Sequence, residues 1–174
     1  MRPMHDAAPL QLIDTARAAA RRGAPLRIRG GGTKDFLGQP PVGELLDMGA
    51  LAGIVSYEPS ELVVTVRAGT PLAVLEATLA AQGQCLAFEP PRFGADGTVG
   101  GMVASGLSGP ARASVGAVRD YVLGVRGLDG RGDVLGAGTR RVRGDDHVCR
   151  QLPGADPDDA AGDLRRTRKR SRRC

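Results

Sequence analysis

Apolar positions along the first 138 residues switch between two periods, and the switching is the main fold signal. Residues 9–22 place Leu12, Ile13, Ala16, Ala19 and Ala20 at three- and four-residue spacing, which predicts an amphipathic helix. Arg21 and Arg22 suit the negative end of its dipole, and Gly23 suits the position just past its end. Leu26 to Arg29 alternates as a short strand and runs directly into Gly30-Gly31-Gly32-Thr33. Leu45 to Met48 and Gly53 to Tyr57 predict two further strands, and Glu61 to Arg67 (ELVVTVR) is the firmest strand of the chain. Thr70-Pro71 then opens a second helix with Thr as N-cap, Leu72, Leu75 and Leu79 as its apolar face and Gly83 beyond its end.

Cys85 to Phe88 predicts a short strand leading to Pro90-Pro91, followed by a glycine-rich stretch from Gly94 to Gly109. Tyr121 to Leu128 and Asp133 to Leu135 flank Asp129-Gly130, a hairpin signal. Met48 and Met102 are expected as core filler, and Tyr57 and Tyr121 as packing residues. Strands interleaved with helices indicate an α+β domain with α/β character.

After about Gly138 this grammar stops. Of the 36 residues in 139–174 only Val142, Val148, Leu152 and Leu164 are large and apolar, and seven of the nine residues from Arg165 to Arg173 are basic. Such a segment buries too little apolar surface to offset its ordering entropy, so 139–174 is expected to be a disordered tail. Charge divides at the same place. Residues 1–138 hold 13 Lys+Arg and 13 Asp+Glu, whereas 139–174 hold 11 and 6, so the whole +5 belongs to the tail. A nucleic-acid partner is therefore expected only through Arg165 to Arg173, the alternative reading of this chain as a small binding module.

Other classes fall away quickly. Gly (26) and Pro (12) make up 38 of 174 residues, but the glycines cluster without a three-residue period, which excludes collagen. No apolar run reaches the ~18–20 residues of a membrane helix. Met1 to Gln11 shows no signal-peptide pattern, so an intracellular protein is expected. Cys85, Cys149 and Cys174 are odd in number and far apart, which argues against a disulfide framework. Cys85 is expected as a small buried hydrophobe. Asp145-Asp146-His147-Val148-Cys149 lacks a second ligand pair, so no metal site is expected. His5 is the one histidine before the tail, and no acid–base or nucleophile constellation stands out, leaving the catalytic residues unknown.

Two segments carry chemistry. Arg29-Gly30-Gly31-Gly32-Thr33-Lys34 follows a strand and offers backbone N–H groups, a hydroxyl and two cations to an anion. It is neither G-x-G-x-x-G nor a Walker A loop. In Gly97-Thr98-Val99-Gly100-Gly101-Met102-Val103-Ala104-Ser105-Gly106, Gly97-Thr98 could cap a short helix whose first N–H groups face a second phosphate oxygen. Its small residues at 100, 101, 104 and 106 equally suit close helix packing.

The order Arg29 to Thr33, then Val66-x-Ala68-Gly69-Thr70, then Thr98-Val99-Gly100-Gly101, then Arg119 to Gly124 resembles the FAD-binding (PCMH-type) domain of the vanillyl-alcohol oxidase/p-cresol methylhydroxylase family. VSYEPSELVVTVRAGTPL, LAFEPPRFG and TVGGMVASGLSGPARAS look most similar to the FAD-binding subunits of bacterial glycolate oxidase, over about residues 10–137. The resemblance implies two subdomains clasping FAD. Arg29, Gly30, Gly31, Gly32, Thr33 and Lys34 would form the first pyrophosphate loop, and Gly97, Thr98, Val99, Gly100, Gly101, Ala104 and Gly106 the second contact. It also implies a 2-hydroxy-acid (glycolate) substrate, a second FAD subunit and an iron-sulfur subunit as partners, and a cytoplasmic complex peripheral to the inner membrane. Covalent members carry a histidine beside the first loop. Thr33-Lys34-Asp35-Phe36 has none, so FAD is expected to bind non-covalently.

The family continues past the Asp129-Gly130 hairpin with a G-x-x-x-x-K-N-x-x-G-Y-D segment, and Gly138 to Arg143 departs from it. The domain is thus expected to span 1–138 and to be incomplete on its C-terminal side. An abrupt change to Arg/Asp/Pro-rich sequence is what out-of-frame translation of GC-rich DNA produces, so the residues from about 138 onward are expected to be a frameshifted or foreign tail. Reading the coding DNA beyond codon 138 in all three frames should reveal a K-N-x-x-G-Y-D continuation, and its absence from every frame would refute the frameshift.

Overall fold

The computed structural model describes residues 7–129, 133–138, 147–150 and 152–153. Helix α1 (Ala7–Arg22) precedes strand β1 (Leu26–Arg29). Leu12, Ala16 and Ala19 of α1 are buried as its spacing requires, whereas Ala20 is exposed. Gly23 closes the helix at φ +64°. Strand β2 (Glu44–Asp47) pairs parallel to β1, with Leu26 opposite Glu44 and Arg29 opposite Asp47. Asp47 ends β2 by accepting at 2.8 Å from the Gly49 N–H, which starts a 3-10 turn.

Strand β3 (Ile54–Glu58) and strand β4 (Val63–Val66) are antiparallel. The turn between them holds Leu62 at φ +56°, so Glu61 and Leu62 lie outside the strand predicted over 61–67. Helix α2 (Leu72–Ala80) follows, with Leu72, Leu75 and Leu79 buried as predicted. Thr70 does not cap it; Pro71 holds the N-cap position. The Thr70 hydroxyl accepts from the Gly53 N–H at 2.9 Å and donates to the Gly53 carbonyl at 3.1 Å. A tertiary partner has replaced the local one, because a buried hydroxyl gains more by pairing the polar backbone of the β2–β3 connection.

The predicted strand at 85–88 shrinks to β5 (Gln84–Cys85). Leu86 and Phe88 leave the ladder to enter the core at 7% and 2% exposure. Cys85 is half-buried and disulfide-bonded, which corrects its reading as a small buried hydrophobe in a chain without disulfides. Gln84 bridges the Tyr57 hydroxyl at 2.8 Å and the Pro59 carbonyl at 2.9 Å. Desolvation raises the Tyr57 phenol above its usual range. Helices α3 (Val99–Ser105), α4 (Arg112–Val115) and α5 (Val118–Tyr121) lead into β6 (Val122–Leu128), which pairs antiparallel with β7 (Val134–Gly138). The hairpin is as predicted, though Gly130 lies outside the described residues.

Two further strands fall within the predicted tail. Strand β8 (His147–Arg150) lies between β4 and β6, completing an antiparallel sheet of order β3-β4-β8-β6-β7, and β9 (Leu152–Pro153) pairs with β5. These six residues lie within the 139–174 segment expected as a disordered tail, the rest of which lies outside the described residues. Strands β4 and β6 are not neighbours, so each turns unpaired backbone groups toward the other, and β8 supplies the partner for both. Asp145, Asp146 and the run from Arg165 to Arg173 lie outside the described residues.

The main core joins Val64 and Val66 of β4, Leu72, Leu75 and Leu79 of α2, Leu86, Phe88, Val99 and Met102 of α3, and Val118 of α5. Phe88 packs on Tyr121 with ring centroids 5.6 Å apart. Thr70→Val keeps the shape but removes both bonds to Gly53, leaving polar backbone groups unpaired. Chemical denaturation should show a loss of about 1–3 kcal/mol; a loss below about 0.5 kcal/mol would show that the hydroxyl does not tie the segments together.

Candidate functional site

The starts of α2 and α3 are braced against one another. The Leu72 N–H donates to the Gly97 carbonyl at 2.8 Å, while the Val99 N–H donates to Thr70 O at 2.9 Å and the Gly100 N–H to Ala68 O at 2.7 Å. Pro71 and Thr98 form an antiparallel bridge between them. Thr98 caps α3, its hydroxyl accepting from the Gly101 N–H at 3.3 Å. The backbones meet this closely because Gly100 lacks a Cβ, which would sit 2.9 Å from the Ala68 carbonyl oxygen.

The glycine loop after β1 rests on this brace. A Cβ on Gly30 would overlap the Thr98 hydroxyl, and one on Gly31 would overlap the Asp96 carbonyl oxygen. Gly32 adopts φ +71° with the Arg29 guanidinium folded over it. Arg29 Nε donates to Asp35 Oδ2 at 2.8 Å, so this cation braces its own loop. Among the described residues, no acceptor is recorded for the N–H groups of Gly31, Gly32, Thr33 or Lys34.

Between the two segments lies a cleft of about 140 Å³, lined by Thr33 and Lys34 from the first loop, Leu72 and Ala73 from α2, Pro91 to Ala95 from the turn before the second segment, and Gly97 and Thr98 from that segment. A Cβ on Gly94 would lie 3.3 Å from Thr33 Cγ2, and one on Gly97 3.8 Å from Thr33 Oγ1, so the second segment closes around Thr33. Arg92 pairs with Glu76 of α2, leaving the Lys34 ammonium as the cation turned to the cleft without a carboxylate partner among the described residues.

Of the thirteen positions expected to hold cofactor, Thr33, Lys34, Gly97 and Thr98 line this cleft. Gly30, Gly31, Gly100 and Gly101 hold the walls together, and Val99 is buried at 1% exposure. Ala104 and Gly106 lie at the other end of α3 and are exposed. Gly106 caps that helix in the left-handed conformation, which accounts for its glycine. The expected anion contact at the first N–H groups of α3 is corrected as well. Those donors already serve Thr70, Ala68 and Thr98, so the open donors belong to the first loop.

Sequence reasoning missed the lining from Pro91 to Ala95. The signal present was Phe93, an aromatic in a polar turn of a chain with three Phe. Among the described residues no group of His, Cys, Asp and Glu is placed to hold a metal ion, and no helix is long and apolar enough to cross a membrane.

The geometry matches known proteins. Residues 7–138 match the FAD binding domain family. Glycolate oxidase subunit GlcE of Escherichia coli (strain K12) is 48% identical over 124 residues, covering 71% of this chain and 35% of that protein. Among solved structures, alkyldihydroxyacetonephosphate synthase superposes with a TM-score of 0.65 at 18% identity, over 83% of this chain and 30% of its own. Phl p 4, a grass pollen allergen with glucose dehydrogenase activity, gives 0.67 at 16% identity, over 83% and 33%. The chain spans about a third of the length of each. With its family match over residues 7–138 and an α+β fold shared with these proteins, the chain belongs to the FAD binding domain family.

Proposed function

We propose that this chain is the FAD-holding part of a 2-hydroxy-acid oxidase or dehydrogenase of the glycolate oxidase type, binding the FAD diphosphate non-covalently in the cleft between the two glycine segments. The observation that carries this is the run of unpaired N–H groups from Gly31 to Lys34 beside a cleft that also holds the Thr33 hydroxyl and the Lys34 ammonium. A diphosphate is an anion that such donors cradle. The segment Thr33-Lys34-Asp35-Phe36 beside the glycines offers no histidine for a covalent link, which supports non-covalent binding. FAD, when bound, supplies the two-electron chemistry; the chain's residues bind and orient it. The 48% identity to a glycolate oxidase subunit supports a glycolate-type 2-hydroxy acid as the substrate class and further subunits as partners; on this reading those subunits include a second FAD subunit and an iron-sulfur subunit. The remaining residues of the second segment, from Val99 to Gly106, act on this reading by holding that wall in place.

The test is to refold the full chain with FAD and remove the excess by gel filtration. Flavin absorbance should co-elute with protein and be released completely by acid precipitation. Lys34→Ala should weaken FAD binding about threefold to tenfold, more at low salt than at high. A folded chain that retains no flavin and binds no ADP would overturn the proposal.

Gly31→Ala places a methyl against the Asp96 carbonyl, a backbone atom that cannot swing aside. It should cost about 1–3 kcal/mol in thermal unfolding and weaken FAD binding at least tenfold. Gly127→Ala, where the added methyl meets nothing within 4 Å, is the control and should change neither. Equal behaviour of the two variants would show that the loops do not depend on this approach.

A further inference from the structure

Two of the three phenylalanines are left in solvent, and one of them, Phe93, lines the cleft. Phe88 is buried at 2%, as core economy requires, but Phe36 is 62% and Phe93 47% exposed. They come from segments 57 residues apart, Phe36 just beyond the first glycine loop and Phe93 in the turn before the second. Their rings nevertheless meet edge to face, with centroids 5.0 Å apart at 74°. Lys34 Nζ lies 5.9 Å from the Phe93 ring centroid, and Lys34 and Phe93 both line the cleft.

This arrangement contributes little to the fold, because an aromatic pair with most of its surface in water forgoes most of the benefit of burial. It does prepare a surface. An edge-to-face pair leaves ring face uncovered, and a flat heteroaromatic ring gains by stacking there. The Lys34 ammonium stands beside the Phe93 ring, and the backbone N–H of the same residue is one of the open donors of the loop. A ligand satisfying both must carry a phosphate and, a few bonds away, a planar ring.

We infer that Phe36 and Phe93, with Lys34 between them and the glycine loop, form a stacking platform for one ring system of the bound dinucleotide. The inference rests on the FAD reading above and adds two binding residues outside the glycine segments. The shared chemistry is a planar heteroaromatic ring joined to phosphate. The ring has two sources within FAD, the purine and the isoalloxazine.

The test titrates the full chain with FAD, ADP, FMN and inorganic pyrophosphate, comparing wild type with the double variants Phe36→Ala/Phe93→Ala and Phe36→Tyr/Phe93→Tyr. Because both rings are exposed, the variants should unfold at the wild-type temperature. The Ala pair should bind FAD about tenfold more weakly and the Tyr pair should restore binding to within about twofold. Pyrophosphate should compete equally well against all three proteins. A parallel loss with ADP assigns the platform to the purine, and one with FMN to the isoalloxazine; either supports the inference. FAD affinity unchanged in the Ala pair, or pyrophosphate affinity falling with it, would overturn the platform while leaving the FAD reading intact. A wild-type chain that binds none of the four ligands would overturn both.

Discussion

The brace between the starts of α2 and α3 is the interaction on which the rest of the site depends. Each helix begins with N–H groups that have no partner within the helix. Here the chain entering one helix supplies carbonyls to the other: Gly97 O to Leu72, and Ala68 O and Thr70 O to Gly100 and Val99. Each bond contributes only about 1 kcal/mol net, but leaving such donors unpaired beside a core containing Leu72 and Val99 costs more than that. Thr70 extends the brace to Gly53, and the Gly69 N–H extends it to Leu51 O at 2.7 Å. The N-terminal α1–β1–β2 unit, the sheet and the glycine loop are thereby referred to a single frame.

On the proposed reading, that frame moves anion recognition away from where a helix dipole would place it. A seven-residue helix with its first donors already spent offers a phosphate little. The loop after β1 keeps its donors because its glycines press backbone against the brace and point no side chain into it. Arg29 strengthens this division of labour by pairing with Asp35 over Gly32, so the charge offered to a ligand falls to Lys34. One cation and a row of neutral donors suit a diphosphate held reversibly.

Much of this was legible in the sequence wherever the cause was local. Strand β1, the buried leucines of α2 and the β6–β7 hairpin follow from residue spacing and turn chemistry over a few positions. What failed has a tertiary cause. Thr70 reads as an N-cap until Gly53 is beside it. Strand β5 stops at Cys85 because Leu86 and Phe88 pack into the core. Strand β8 lies in a segment whose composition argues for disorder, yet it pairs with β4 from Val63 to Val66 and with β6 from Val122 to Gly124. No propensity of 147–150 announces that place, because the requirement belongs to the backbones on either side. Phe36 and Phe93 were likewise visible as letters, but their meeting across the cleft was not.

Glycine usage shows the same limit most clearly. Two dense clusters, 30–32 and 97–101, read from the sequence alone as ligand-facing loops. Position by position the reasons separate. Gly31 and Gly100 are needed because another backbone occupies the space of a side chain, and Gly69 for the same reason against Met48 and Leu51. These glycines act on a ligand through the wall they build. A methyl at Gly31 need not touch a phosphate to weaken its binding, because it would part the first loop from the turn at Asp96 and widen the cleft beside Thr33. Glycine density in this domain therefore marks where backbones meet, and on the proposed reading the ligand is held by what that meeting leaves open.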